Sequence, residues 1–235
     1  MNKPLLECKA VTKSFGKLMA LNGVDLSVNE GEMLGLIGPN GSGKTTLINC
    51  ISGFYKPTSG NVNFMGENIV KSKSYSICKM GIARTFQIPR PFLRLTVLEN
   101  VMVSASGDRN FALKCIERVG LSEIKDVQTK NLTFHQIRLM EIARALASKP
   151  KLLLLDEVMS GLNPVEIDES IKLLEEVRET GTTILWVEHV MRAIMKAVDR
   201  IAVLQEGKKI AEDKPKQIAN DEKVIAAYLG ERYIL

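Results

Sequence analysis

A chain of 235 residues, 45% hydrophobic and 25% charged, is long enough for one well-packed domain and has the composition of an ordinary globular protein. Disordered, collagenous and coiled-coil architectures are excluded on that ground, and apolar stretches such as Leu152–Leu155 fall far short of the ~20 residues that span a bilayer. The excess of 32 Lys+Arg over 27 Asp+Glu, a net +5, is too small and dispersed to specify nucleic acid, although it suits an anionic ligand or an anionic membrane surface.

Cys8, Cys50, Cys78 and Cys115 are scattered without C-x-x-C spacing, which points to reduced thiols and not to a zinc site or a disulfide framework. No positively charged head followed by an apolar run opens the chain, so a protein that stays in the cytosol, unless something holds it at a membrane, is expected.

In chain order, Leu5–Val28 and Gly60–Ile69 alternate polar and apolar residues among Gly and Asn, which predicts an antiparallel layer. Met33–Ile37 is a short apolar run of strand length. A glycine-rich loop follows it, and then a helix over Thr46–Ser52 with Leu47, Ile48 and Ile51 on one face and Gly53 free to end it. From Leu95 to Ser148 the pattern is helical with no clear strand. Lys151–Asp156 is a second buried-strand candidate, and Val165–Glu179 an amphipathic helix with Ile167, Ile171, Leu174 and Val177 inward. The strand Thr183–Val187, the helix Val190–Val198 and the strand Arg200–Leu204 complete the alternation. Strands alternating with helices predict crossover units and a parallel sheet. The expected fold is therefore α/β, one domain over 1–235, with a core of about 1–87 and 150–235 and a helical lobe over about 88–149. Trp186 on its core strand, and Met191 and Met195 one helical turn apart, read as packing residues.

Gly38-Pro-Asn-Gly-Ser-Gly-Lys-Thr45 matches G-x-x-x-x-G-K-[S/T] between a strand and a helix. In such a loop, backbone N–H groups cradle phosphates, Lys44 reaches the β and γ oxygens, and the Thr45 hydroxyl serves Mg²⁺. Gly38, Pro39, Asn40, Gly41, Ser42, Gly43, Lys44, Thr45 and Thr46 are thus the candidate nucleotide-binding run of a P-loop NTPase core. At the end of the four-leucine run, Asp156 can join a Mg²⁺ shell and Glu157 can polarise an attacking water. The competing reading of this pair is an acidic helix N-terminus.

The phosphate loop, Gln87 in Gly81–Gln87, Leu152–Glu157, Ser160–Pro164 and His189 stand in an order and spacing that resemble the ABC-transporter ATPases, over roughly Leu5–Leu229. Ala83-Arg-Thr-Phe-Gln87 and Ser160-Gly-Leu-Asn-Pro164 are most similar to the subunits that power import of branched-chain amino acids, or of urea or amides. The resemblance implies ATP and Mg²⁺ as cofactors, with Phe15 stacked on adenine, Glu157 as general base, and Lys44, Thr45, Asp156, Gln87 and His189 positioning phosphate, metal and water. For Phe15 an ordinary core position is the alternative, and for Gln87 a solvated loop. The resemblance also implies integral-membrane permease partners, a second ATPase subunit in a head-to-tail dimer, no nucleic acid, and a peripheral place on the cytoplasmic face of the membrane.

One stretch departs from the family pattern. Where a Leu-Ser-Gly-Gly-Gln signature is usual, this chain has Leu132-Thr-Phe-His-Gln136. Thr133 and Gln136 keep a capping-box pattern ahead of a helix over Ile137–Ala147, but Phe134 and His135 replace glycine where backbone is expected to approach phosphate. That favours a heterodimer with one strong and one weak site, a homodimer being the alternative. Val158 likewise stands where proline is frequent. A non-transport ABC ATPase acting on DNA or ribosomes would usually carry two cassettes or a long coiled coil, and a small-molecule P-loop kinase would leave Glu157 and His189 unexplained.

Overall fold

The computed structural model describes residues 4–229. The chain opens as a hairpin of β1 (Leu6–Phe15) and β2 (Leu18–Val28), turning through Gly16, at φ 60°, and Lys17. β3 (Met33–Ile37) follows, and then α1 (Lys44–Ile51), which begins ahead of the expected Thr46 because Gly43 takes the left-handed turn that closes the loop. β4 (Ser59–Phe64) and β5 (Glu67–Asn68) turn through Met65-Gly66. β1 pairs antiparallel with both β2 and β4, so the expected layer is a four-stranded sheet in the order β2-β1-β4-β5.

α2 (Ser74–Met80) and β6 (Ile82–Arg84) carry no mark in the sequence, the three residues of β6 being too few for a periodic signal. The Leu95–Ser148 region is helical as expected: α3 (Val97–Ser104), α4 (Arg109–Arg118) and α5 (Phe134–Ala147), with a single isolated β-bridge from Thr96 to Gln128. α5 begins a turn before the expected Ile137, because its cap is Thr133 and the helix starts at the next residue. β7 (Leu152–Asp156), α6 (Pro164–Glu179), β8 (Thr183–Val187), α7 (Met191–Ala197) and β9 (Arg200–Gln205) alternate close to their expected bounds. β10 (Lys208–Asp213), α8 (Pro215–Ile218) and α9 (Glu222–Leu229) follow. β10 escapes a sequence reading because it is a half-exposed edge strand rich in charge.

The second sheet has six strands in the order β10-β9-β3-β8-β7-β6, parallel throughout except for β10 at the edge. Its central strands are apolar at nearly every position because both faces are covered. Leu34, Leu36, Leu152, Leu154, Leu185 and Val187 face the antiparallel sheet and α1. Met33, Ile37, Leu153, Leu155, Ile184 and Trp186 face the other way, against residues of α3, α5, α6 and α7. Each such side chain contributes about 1.5–3 kcal/mol by leaving water. Trp186 is fully buried, Met191 and Met195 pack half-buried on the same core, and Val158 is buried there too. The four cysteines are free, with Cys8, Cys50 and Cys115 buried and Cys78 exposed.

One buried amide ties the segment leading into α3 to the helices behind it. Asn100 is fully buried, and its Nδ2 lies 2.9 Å from the Thr96 carbonyl, 3.1 Å from the Phe92 carbonyl and 2.8 Å from Thr129 Oγ1. Its Oδ1 accepts from the Phe92 N–H at 2.9 Å. Truncation leaves several of these groups unpaired at about 1–3 kcal/mol each, so Asn100→Ala is expected to lower stability by about 3 kcal/mol in denaturant unfolding. A loss below about 0.5 kcal/mol would show that this amide does not hold the segment.

Candidate functional site

The phosphate loop is shaped by what lies behind it. Gly38 has φ 146°, and a Cβ there would sit 2.0 Å from the Leu204 carbonyl of β9, so no other residue fits. At Gly43, φ 106°, a Cβ would meet the Ala20 carbonyl of β2 at 2.6 Å. The loop is thereby pressed onto both sheets. α1 starts from Gly43 with no side-chain cap and no acidic residue in its first turn, which leaves its N–H groups and the positive end of its dipole to an anion. The Lys44 ammonium donates to the carbonyls of Gly38 at 2.8 Å and Pro39 at 3.0 Å, and burial pulls its pKa down against the carboxylates of Glu157 and Asp156. Ser42 Oγ is buried with no partner. A loop with an unpaired hydroxyl, a buried cation and an open helix N-terminus fits an oligophosphate.

The acidic pair closes the other wall. Asp156, the last residue of β7, is fully buried, which pushes its carboxyl pKa up, with Arg84 pulling the other way. The Thr45 hydroxyl donates to its Oδ1 at 3.4 Å, and Arg84 Nη2 lies 3.5 Å from its Oδ2. Glu157 leaves the strand in left-handed backbone at φ 51°, its N–H donating to the Val187 carbonyl of β8 at 2.9 Å. Its Oε2 accepts from Gln87 Nε2 at 2.8 Å and lies 3.6 Å from His189 Nδ1. Lys44, Thr45, Gln87, Glu157 and His189 line one cleft of about 710 Å³, together with Phe15 and Asn40. Phe15 is 41% exposed and so is not a core residue. Its ring meets that of Tyr55 edge-on at 5.1 Å, with Lys13 Nζ 4.9 Å from its centre. Among the described residues no group of three or more His, Cys, Asp or Glu side chains could hold a metal alone. One carboxylate, one hydroxyl and one amide beside a phosphate cradle is instead the donor set that suits Mg²⁺.

Thr133 and Gln136 stand outside this cleft. They cap α5 reciprocally, Gln136 N–H donating to Thr133 Oγ1 at 3.2 Å and Thr133 N–H to Gln136 Oε1 at 2.9 Å. Phe134 is exposed beside Gly161, and His135 Nδ1 lies 3.5 Å from Glu166 Oε1, so the stretch rests on Ser160–Pro164 and the start of α6.

Several buried or nearly buried charges went unmarked in the sequence because nothing in a spacing separates a buried charge from a solvated one. Arg84 is one. Arg138 of α5 donates to the carbonyls of Phe86 at 3.0 Å and Gln87 at 2.8 Å, fastening the helical region to the segment that carries Gln87. Glu188, fully buried, accepts from the N–H groups of Met159 at 2.7 Å and His189 at 3.1 Å, and burial raises its pKa. Its position directly after β8, level with Glu157 directly after β7, is the signal that could have found it.

A glycine loop between a buried parallel strand and a helix, with an acidic pair ending a neighbouring strand, defines a P-loop nucleoside triphosphatase. Within that class the chain belongs to the ABC transporter family, whose model matches residues 21–160. A second model, described as branched-chain amino acid ATP-binding cassette transporter, matches residues 208–234. The chain is 40% identical to the high-affinity branched-chain amino acid transport ATP-binding protein LivG of Escherichia coli, covering 98% of this chain and all of the relative. Its identity to the corresponding BraF protein of Pseudomonas aeruginosa is 37%, with the same coverage. Among solved structures, a nucleotide-free ATP-binding cassette from an ABC transporter matches with a TM-score of 0.91 at 33% identity, over 97% of this chain and all of that one. A dimeric cassette bound to ADP and Pi matches at 0.82 and 29% identity, over 89% of this chain and 98% of that one. The protein is accordingly an ATP-binding cassette whose ATP hydrolysis is coupled to transport.

Proposed function

We propose that this chain is the ATP-hydrolysing subunit of an importer for branched-chain amino acids or a related amide or urea solute. The observation that carries the catalytic part is the Glu157 carboxylate, bracketed by Gln87 and His189 at the mouth of the Lys44 loop. The solute class rests on the relatives' names and on the match over residues 208–234.

In this reading the adenine lies on the exposed Phe15 ring, and the phosphates lie in the cradle of Gly38–Thr46. Lys44 exchanges its two carbonyl partners for phosphate oxygens, a charge-assisted gain that offsets its burial. Thr45, Asp156 and Gln87 would hold Mg²⁺, which when bound neutralises charge on the β and γ oxygens. Glu157 Oε2 takes the proton of a water directed at the γ phosphorus. His189 holds that water and the γ-phosphoryl oxygens in line.

The cassette works as a head-to-tail dimer, in which Thr133, Gln136 and the N-terminus of α5 complete the partner's nucleotide site. Because Phe134 and His135 occupy the place of signature glycines, a heterodimer with a second, glycine-bearing ATPase subunit is favoured. Among the described residues no helix is long and apolar enough to cross a membrane. Attachment is therefore assigned to permease subunits at the cytoplasmic face, contacted through the segment after Gln87, where Ile88, Phe92 and Leu93 are exposed on either side of Pro89 and Pro91.

Glu157→Gln is expected to lower ATPase turnover ~10²-fold or more while ATP affinity holds, measured by phosphate release and nucleotide titration. Turnover equal to wild type would remove Glu157 as the base. Phe92→Asp is expected to reduce permease association and solute uptake with ATP binding by the isolated chain unchanged; full uptake would place the contact elsewhere. Mixing this chain with its cognate second ATPase subunit is expected to raise ATP hydrolysis above the sum of the two alone. Full cooperative activity of the chain by itself, unaltered by the second subunit, would establish the homodimer.

A further inference from the structure

We infer that Arg84 is a positioning residue for the metal-holding carboxylate: it anchors one oxygen of Asp156 and so presents the other to the cation. The inference rests on the proposed assignment of Asp156 to Mg²⁺. Arg84 ends β6, one strand away from Asp156 across the β6–β7 pair, and its side chain is only 11% exposed. A guanidinium so placed must be fixed by several acceptors, and it is. Nη1 donates to Asn49 Oδ1 at 2.6 Å and lies 3.0 Å from Ser52 Oγ, while Nε lies 3.3 Å from the Thr85 carbonyl. The Phe86 ring covers the group, its centre 4.4 Å from the guanidinium carbon. Only Nη2 is directed at Asp156, 3.5 Å from Oδ2.

The two carboxylate oxygens therefore have separate partners: Oδ2 meets Arg84, and Oδ1 meets the Thr45 hydroxyl at 3.4 Å, on the side of the phosphate loop. α1 sets both contacts. Its first turn carries Lys44 and Thr45, and its last turn and cap supply Asn49 and Ser52. The arginine is held mainly by α1 and so acts as a fixed post against which Asp156 is oriented. Thr85 Oγ1, which accepts from the Asp156 N–H at 3.3 Å, fixes the backbone of the same residue. Partners of this kind, outside the metal's own ligands, are worth about 10–100-fold in metal affinity when removed.

The test uses the full chain and a fluorescent, non-hydrolysable ATP analogue, titrated with Mg²⁺ for wild type, Arg84→Met, Arg84→Lys and Asp156→Asn. Arg84→Met is expected to raise the half-saturating Mg²⁺ about 10-fold or more, with the Mg²⁺-free affinity for the analogue within about twofold of wild type. Arg84→Lys keeps the charge but loses the fork, and is expected to give a smaller, several-fold rise; it carries the same test if Arg84→Met does not fold. An unchanged Mg²⁺ requirement in the folded arginine variants, with Asp156→Asn raising it, overturns the positioning role alone. An equal loss of affinity with and without Mg²⁺ also overturns it, because the arginine would then serve only the fold. An unchanged requirement in Asp156→Asn overturns the role together with the assignment of Asp156.

Discussion

The register of three adjacent parallel strands is the constraint on which the site depends. Leu36 of β3 stands beside Val187 of β8, which stands beside Asp156 of β7. The three strands therefore run out at one level, and the phosphate loop, Glu157 and His189 all leave the sheet from the same edge. At that edge the left-handed backbone of Glu157 turns its carboxylate out beside Gln87 and His189. A one-residue slip of β7 would send Asp156 to the opposite face, because side chains alternate along a strand. The leucines on either side make such a slip costly: it would exchange the residues packed on the antiparallel sheet with those packed on the helices.

Charge enters this interior in an ordered way. Asp156, Glu188, Arg138 and Glu141 are buried, and each burial shifts its group toward the neutral form. Each is met by specific partners. Asp156 has Arg84 and Thr45, Glu188 has backbone N–H groups, Arg138 has two carbonyls, and Glu141 accepts from the Arg90 N–H at 2.9 Å. Such pairs add little net stability compared with apolar replacements of equal volume. What they provide is connection. Glu188 joins the His189 turn to Met159, just after Glu157, while Arg138 and Glu141 join α5 to the segment from Phe86 to Arg90. Any movement of α5 must pull on the backbone of Gln87, whose side chain touches Glu157.

A groove of about 270 Å³ lies on the far side of this connection, with Arg84, Phe86 and Arg90 on one wall and Glu141 and Arg144 of α5 on the other. Arg84 is common to the groove wall and to the surroundings of Asp156. The exposed Ile88, Phe92 and Leu93 follow in the same segment. Nucleotide cleft and candidate partner surface are thus separated by little more than β6 and the residues that leave it.

The sequence by itself determined the parts governed by local rules. The apolar runs Met33–Ile37 and Thr183–Val187 are the strands observed, because a strand buried on both faces has no polar positions to confuse its bounds. The phosphate loop was legible for a similar reason: glycine spacing is dictated by φ values that only glycine tolerates, as the crowding at Gly38 demonstrates. Lys44, Asp156 and Glu157 could be named as candidates from the motif and the acid-ended leucine run, and Gln87 and His189 from the resemblance of their order and spacing to the ABC-transporter ATPases. Tertiary structure decided the rest. Only the fold exposes Phe15 beside Tyr55 and removes its reading as a core residue. Only the fold sets Thr133 and Gln136 apart from the cleft, at the start of a helix that faces elsewhere. β10, at a half-exposed edge, and the buried charges of Arg84, Arg138 and Glu188 have no periodic signature, because their places depend on partners distant in the chain. Periodicity reports which face of an element meets the core, whereas the partner of a buried charge is fixed only when two elements pack.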